Sequence, residues 1–165
     1  MRRMSLGVHF AIDEQTAGRL LAAADDDEVA ALVDEIEGEM VGVDYCDSDK
    51  AWDAIHRCLT DGLLGYGNGD YPLNTVIFGG RQLYEGDDYI VSLLSPKQVR
   101  DVADATATVD RDKLAAGYGR IDVEDYGPQY GDEDFAYTWS NFVELVAFFK
   151  RSAASGLHVI FTVGQ

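Results

Sequence analysis

Asp49, Trp52 and His56 follow one another at intervals of three and four residues in the segment Asp49-Lys50-Ala51-Trp52-Asp53-Ala54-Ile55-His56-Arg57-Cys58-Leu59-Thr60-Asp61-Gly62. On a helix these intervals carry a carboxylate, an indole and an imidazole along one side, with Asp49 two turns from His56. Such a pair can flank a polar niche in which the imidazole exchanges protons or hydrogen-bonds a ligand near neutral pH. Tyr71, in the glycine-rich stretch that follows, completes a candidate pocket of Asp49, Trp52, His56 and Tyr71. The same residues also support a plainer role. Trp52, Ile55, His56 and Leu59 fall at i, i+3, i+4 and i+7, the apolar stripe of a packed helix, where a buried imidazole needs only a hydrogen-bond partner.

Other candidates are weaker. His9 and His158 lie in predicted strands far apart in sequence, and no His-x-x-x-His spacing marks a metal site. Asp53 and Arg57 stand four residues apart, an ion pair worth about 0.3 kcal/mol on an exposed helix face. Gly65-x-Gly67-x-Gly69 follows a helix and lacks both the dinucleotide spacing and the Lys-Ser/Thr ending of a phosphate loop, so it reads as a turn. Asp122, Glu124, Gly127 and Glu133 occupy calcium-loop positions, but Tyr126 and Pro128 do not suit one, which leaves a solvated acidic loop. No serine sits in a Gly-x-Ser-x-Gly elbow and neither Cys46 nor Cys58 carries a catalytic signature. These observations lean away from an enzyme and call for no metal and no cofactor.

The candidate residues depend on elements with clear local signals. Ser5 to Ile12 alternates as a strand, with Leu6, Val8, Phe10 and Ile12 on one face, and Asp13 then caps a helix carrying Ala17, Leu20, Leu21 and Ala24. Asp25 and Glu28 open an amphipathic helix through Val29, Leu32, Val33 and Ile36 that Gly38 ends. Thr75 to Phe78 predicts a short buried segment and Asp88 to Leu94 a strand. Ser95, Pro96 and Gln98 form a capping box, with Leu94 stapled to Val99. A short helix begins at Asp110 and ends at Gly117 or Gly119. The longest runs from about Phe135 to Ser155, its stripe made of Trp139, Phe142, Leu145, Val146, Phe149 and Ala153, and Leu157 to Val163 closes as a strand. The expected fold is α+β, a single compact domain of amphipathic helices around a small mixed sheet with strands near both termini.

Composition limits the partners. Lys and Arg number 13 against 30 Asp and Glu, a formal charge of −17 that repels nucleic-acid phosphates and anionic membranes and attracts a basic protein. No apolar run approaches membrane-spanning length, and the stretch after Arg2-Arg3 is too short and polar for a secretory signal, so a cytoplasmic protein with two reduced thiols is expected. Eight tyrosines, Tyr66, Tyr71, Tyr84, Tyr89, Tyr118, Tyr126, Tyr130 and Tyr137, gather in loops or near element ends among glycines and acids. Tyrosine joins a large apolar face to a polar tip, so these loops suit a binding surface.

Several segments together resemble the YfbM-like family, a domain of unknown function numbered 1877. They are Gly7-Val8-His9-Phe10-Ala11-Ile12-Asp13, Asp49 to His56, Leu59-Thr60-Asp61-Gly62, Tyr71-Pro72-Leu73 leading to Ile77-Phe78-Gly79-Gly80, and Leu93 to Val99. The similarity spans a domain from residue 4 to 165, with residues 1–3 as a short extension, and departs from the family's pattern at Asp125-Tyr126-Gly127-Pro128-Gln129-Tyr130. It implies a compact α+β domain of bacterial type, with no assigned activity, cofactor or site residue. The combined expectation is a non-enzymatic binding protein with a basic protein partner. The alternative is a small enzyme or ligand-binding domain using the pocket around His56 and Asp49.

Overall fold

Strand alternation places Gly7, His9 and Ala11 on one side of the first strand and Val8, Phe10 and Ile12 on the other, and both sides are covered by helices. The computed structural model describes residues 6–38 and 42–164; the short extension at residues 1–3 lies outside them. Its five strands are β1 (Gly7–Ile12), β2 (Tyr45–Asp47), β3 (Arg81–Gln82), β4 (Tyr89–Leu94) and β5 (His158–Gly164), in the order β2-β1-β5-β4-β3. The α+β class is as expected, but the sheet is antiparallel at each pair and not mixed. The connections explain this. A hairpin joins β3 to β4, and a pair of helices between β1 and β2 returns the chain in the opposite direction, whereas a parallel neighbour needs a crossover.

Helices α1 (Glu14–Leu21) and α2 (Asp26–Gly38) cover one face. Ala17, Leu20, Val29, Val33 and Ile36 pack there against Phe10, Ile12, Val91, Leu93 and Ile160. The other face carries the larger core, where α3 (Trp52–Leu59), α4 (Pro96–Thr106), α5 (Arg111–Tyr118) and α7 (Asp132–Ala154) meet Ala11, Leu94, Val159, Phe161 and Val163. A single turn of helix, α6 (Val123–Tyr126), lies within the acidic tyrosine-rich loop, and a 3-10 turn at Leu73–Thr75 leads into buried Val76, Ile77 and Phe78.

Helix starts follow local chemistry. Asp13 accepts the Thr16 amide at 2.8 Å, and Ser95 and Gln98 form the reciprocal capping box with Pro96 in the first turn. At α2 the Asp25 carboxylate accepts the Glu28 amide at 2.9 Å, while the Glu28 carboxylate reaches back to the Ala24 amide, one residue earlier than a strict box. The start of α7 precedes the expected Phe135 because Asp132, Glu133 and Asp134 complement the positive end of the helix dipole.

Two glycines permit close approaches on which α3 depends. A Cβ at Gly7 would lie 2.7 Å from the Trp52 indole, and one at Gly117 would lie 2.1 Å from the Cys58 carbonyl oxygen. Trp52 therefore lies flush against β1, and α5 rests on the backbone of α3.

Candidate binding cleft beside Trp52

Helix α3 is enclosed on nearly every side, Trp52, Ala54, Ile55, His56, Arg57, Cys58 and Leu59 all being buried, with Trp52 keeping a small exposed edge. This makes the predicted apolar stripe correct and too narrow. Trp52 and His56 converge on Phe78, with ring centroids 5.8 and 4.9 Å from it. Asp49 and Tyr71 go elsewhere. Tyr137 of α7 donates to the Asp49 carboxylate at 2.5 Å, with Asp49 in left-handed backbone at φ 50°, and the Tyr71 hydroxyl donates to Asp101 of α4 at 2.6 Å.

His56 is fixed by Asn68. The Asn68 amide nitrogen donates to Thr60 Oγ1, Asp61 Oδ1 and the Leu63 carbonyl at 3.1, 2.6 and 2.9 Å, which turns its oxygen toward His56 Nε2 at 3.0 Å. Nε2 thus carries the proton, and Nδ1 is a buried acceptor without a hydrogen bond. Burial lowers the His56 pKa, opposed by Asn68, Gly65, Asp53 and Asp61. Asp49 is not among the groups that act on it.

The other two histidines do not join it. His9 Nε2 donates to the Val76 carbonyl at 2.8 Å amid Phe148, Phe149 and Phe161, and burial lowers its pKa to about 4. His158 pairs with Ile12, on the opposite face of the sheet, where Asp13 and Glu14 act on it. Cys46 and Cys58 are free buried thiols, pushed up by burial to about 11 and about 12.

On the α5 and α6 side of α3, Arg57 occupies an internal polar site. Its guanidinium binds Asp53 at 2.6 Å, Asp125 at 2.9 Å and the Gly62 carbonyl at 3.3 Å, and lies 5.4 Å from the centre of the Tyr126 ring. Burial opposes its charge, and the two carboxylates outweigh that opposition. Tyr126 and Tyr118 both donate to Asp134, at 2.6 and 2.7 Å, tying α5, α6 and α7 together.

Near the N-terminal end of α3 the surface opens into a cleft of about 470 Å³ between the loop at residues 64–66 and the β3–β4 hairpin. That volume lies within the usual range for small-ligand sites. Trp52, Tyr66, Phe78, Tyr84 and Tyr89 line it, with Glu85 and Asp87 also contributing, and among the described residues no basic side chain lines it. Tyr66 lies 5.1 Å from Phe78, and Tyr84 lies 5.7 Å from Tyr89. The hairpin turn is held from below: Asp26 of α2 accepts the Glu85 and Gly86 amides at 2.9 and 3.0 Å, and Tyr84 donates to Asp88 at 3.0 Å. Among the described residues no hydrogen bond or ion pair engages the side-chain carboxylates of Glu85 and Asp87. Arg81, on the same hairpin, lines a separate cavity together with Asp25, Asp26 and Asp27.

Trp52 is the one residue shared by this cleft and the predicted pocket. The loop tyrosines gave the readable signal for Tyr66, Tyr84 and Tyr89; Phe78, Glu85 and Asp87 carried none, since only the tertiary fold brings them beside Trp52. Among the described residues no group of three or more His, Cys, Asp or Glu is arranged to hold a metal ion, and no helix is long and apolar enough to cross a membrane.

An antiparallel five-stranded sheet between unequal helical layers, with an aromatic cleft at one edge, defines a small α+β domain. The model of the family described as domain of unknown function DUF1877 matches residues 4–162, and the chain belongs to that family. It is 24% identical over 163 residues to protein YfbM of Escherichia coli strain K12, covering 94% of this chain and 95% of that protein. The crystal structure of YfbM from Escherichia coli, described as a protein of unknown function, matches with a TM-score of 0.70 at 22% identity, over 96% of this chain and 99% of that one. The structural likeness establishes the fold.

Proposed function

We propose that this protein is a non-enzymatic binding protein of the bacterial cytoplasm that captures a basic protein partner, with the cleft beside Trp52 as the contact point. The observation that carries the reading is the cleft's lining: five aromatic rings and two carboxylates that, among the described residues, have no salt-bridge partner and no lysine, arginine or histidine beside them in the lining. Aromatic faces attract cations through their quadrupoles, and the net charge of −17 steers a basic partner toward the molecule from a distance. Among the described residues the thiols are buried, Asp49 is bound by Tyr137 and His56 is enclosed, so none of them is presented to the cleft.

Calorimetric titration of a basic peptide tests this reading, using the parent chain, a Glu85→Gln/Asp87→Asn variant and an Asp104→Asn/Asp112→Asn variant with the same charge change on exposed helix positions. Binding that the first variant loses and the second retains is the expected result. Equal losses in both would reduce the attraction to bulk charge, and no binding at low salt would remove the proposal.

A further inference from the structure

We infer that the group received by the cleft is a guanidinium, carried by an arginine within a peptide segment of the partner. This rests on the binding reading above and names the chemistry of the occupant. Three observations converge on it. The walls offer the exposed ring of Tyr66, backed by buried Phe78, and the half-buried rings of Tyr84 and Tyr89, on which a flat delocalised cation stacks with less desolvation than a compact, strongly hydrated ammonium. Glu85 and Asp87 supply carboxylate oxygens engaged by no partner within the described residues. A guanidinium meets such acceptors with a fork of N–H donors, whereas a quaternary ammonium has no donor to offer.

The third observation is internal. Arg57 stacks on Tyr126 between Asp53 and Asp125, and Arg111 lies 5.3 Å from the centre of Phe135 and 6.0 Å from that of Trp139. The cation–ring contacts among the described residues are all made by arginines. The cleft combines the same groups that surround Arg57, an aromatic ring with carboxylates beside it, and among the described residues no guanidinium lines it. Its volume of about 470 Å³ also leaves room for residues flanking the arginine.

The test uses three end-blocked peptides of one sequence whose central residue is arginine, lysine or trimethyl-lysine, titrated calorimetrically into the full chain at moderate salt. The arginine peptide is expected to bind roughly tenfold more tightly than either of the others. Tyr66→Leu, at an exposed ring, and Glu85→Gln should each reduce that preference to about threefold or less without shifting the melting temperature. Equal binding of the arginine and lysine peptides overturns the guanidinium assignment and leaves the basic-partner reading standing. Tighter binding of trimethyl-lysine overturns it in favour of a quaternary ammonium. An arginine preference untouched by both substitutions shows that the seat is elsewhere, and no binding of any peptide removes the underlying reading as well.

Discussion

Arg57 and the cleft beside Trp52 stand on either side of α3 and are built from the same materials, aromatic rings with carboxylates beside them. Around Arg57 the site is closed: the guanidinium is held by Asp53, Asp125 and the Gly62 carbonyl over Tyr126, and its side chain is only 3% exposed. In the cleft the carboxylates and the Tyr66 ring, 58% exposed, face solvent, with Tyr84 and Tyr89 half-buried beside them. The closed version serves packing, because a buried cation must be fully paired to be tolerated. The open version keeps its acceptors available, as the proposed binding role requires.

The contrast predicts opposite responses to mutation. Arg57→Ala should destabilise the fold by about 4 kcal/mol, since it strands Asp53 in a half-buried site and leaves a cavity beneath Tyr126; denaturant unfolding measures it. Arg57→Met, which refills the volume, should recover part of that loss.

Acid should attack the interior next. His9 has a folded pKa of about 4 against an ordinary 6.5, so the unfolded chain takes up the proton first. Its effect is absent above pH 6.5, and stability falls by about 3 kcal/mol as the pH drops from 6.5 to 4, with His56 acting in the same direction. Unfolding curves across that range should show the slope, and His9→Gln, which can still donate to Val76, should flatten it.

Gly117→Ala drives a methyl into the Cys58 carbonyl and should cost about 2 kcal/mol by pushing α5 off α3, seen as a lowered unfolding midpoint. The smallest change in stability belongs to the open site. Glu85→Gln/Asp87→Asn should leave unfolding within about 0.5 kcal/mol of the parent while weakening capture of a basic peptide. A large destabilisation there would mean that the cleft carboxylates, like those around Arg57, are structural.

What could be read from the sequence divides according to distance along the chain. Ser95, Pro96 and Gln98 specify the start of α4 within four residues, and the spacing of Trp52, Ile55, His56 and Leu59 marks the buried face of α3 within two turns. Tyr45–Asp47 and Arg81–Gln82 are too short to show an alternation, so β2 and β3 left no signal, and without them the sheet's directions could not be worked out. The candidate pocket was half legible. Trp52 and His56 do meet at Phe78, but Asp49 and Tyr71 are claimed by Tyr137 and Asp101, partners 88 and 30 positions away. Arg57 looked like half of a surface pair, because Asp125 and Tyr126, which enclose it, belong to a loop whose path local patterns do not reveal.

The centre of the sheet also sets a clock. β1 pairs with β5, Gly7 opposite Val163 and Ile12 opposite His158, so during synthesis β1 lacks its β5 neighbour until almost everything between them has been made. Its ladder bonds to β5 and the ring contacts of His9 with Phe148, Phe149 and Phe161 all await that late arrival. Contacts so distant in sequence slow folding, and the nascent α1 and α2 must keep their apolar faces out of aggregates in the meantime. The acidic residues that open α2, Asp26, Asp27 and Glu28, supply like-charge repulsion between chains throughout that interval.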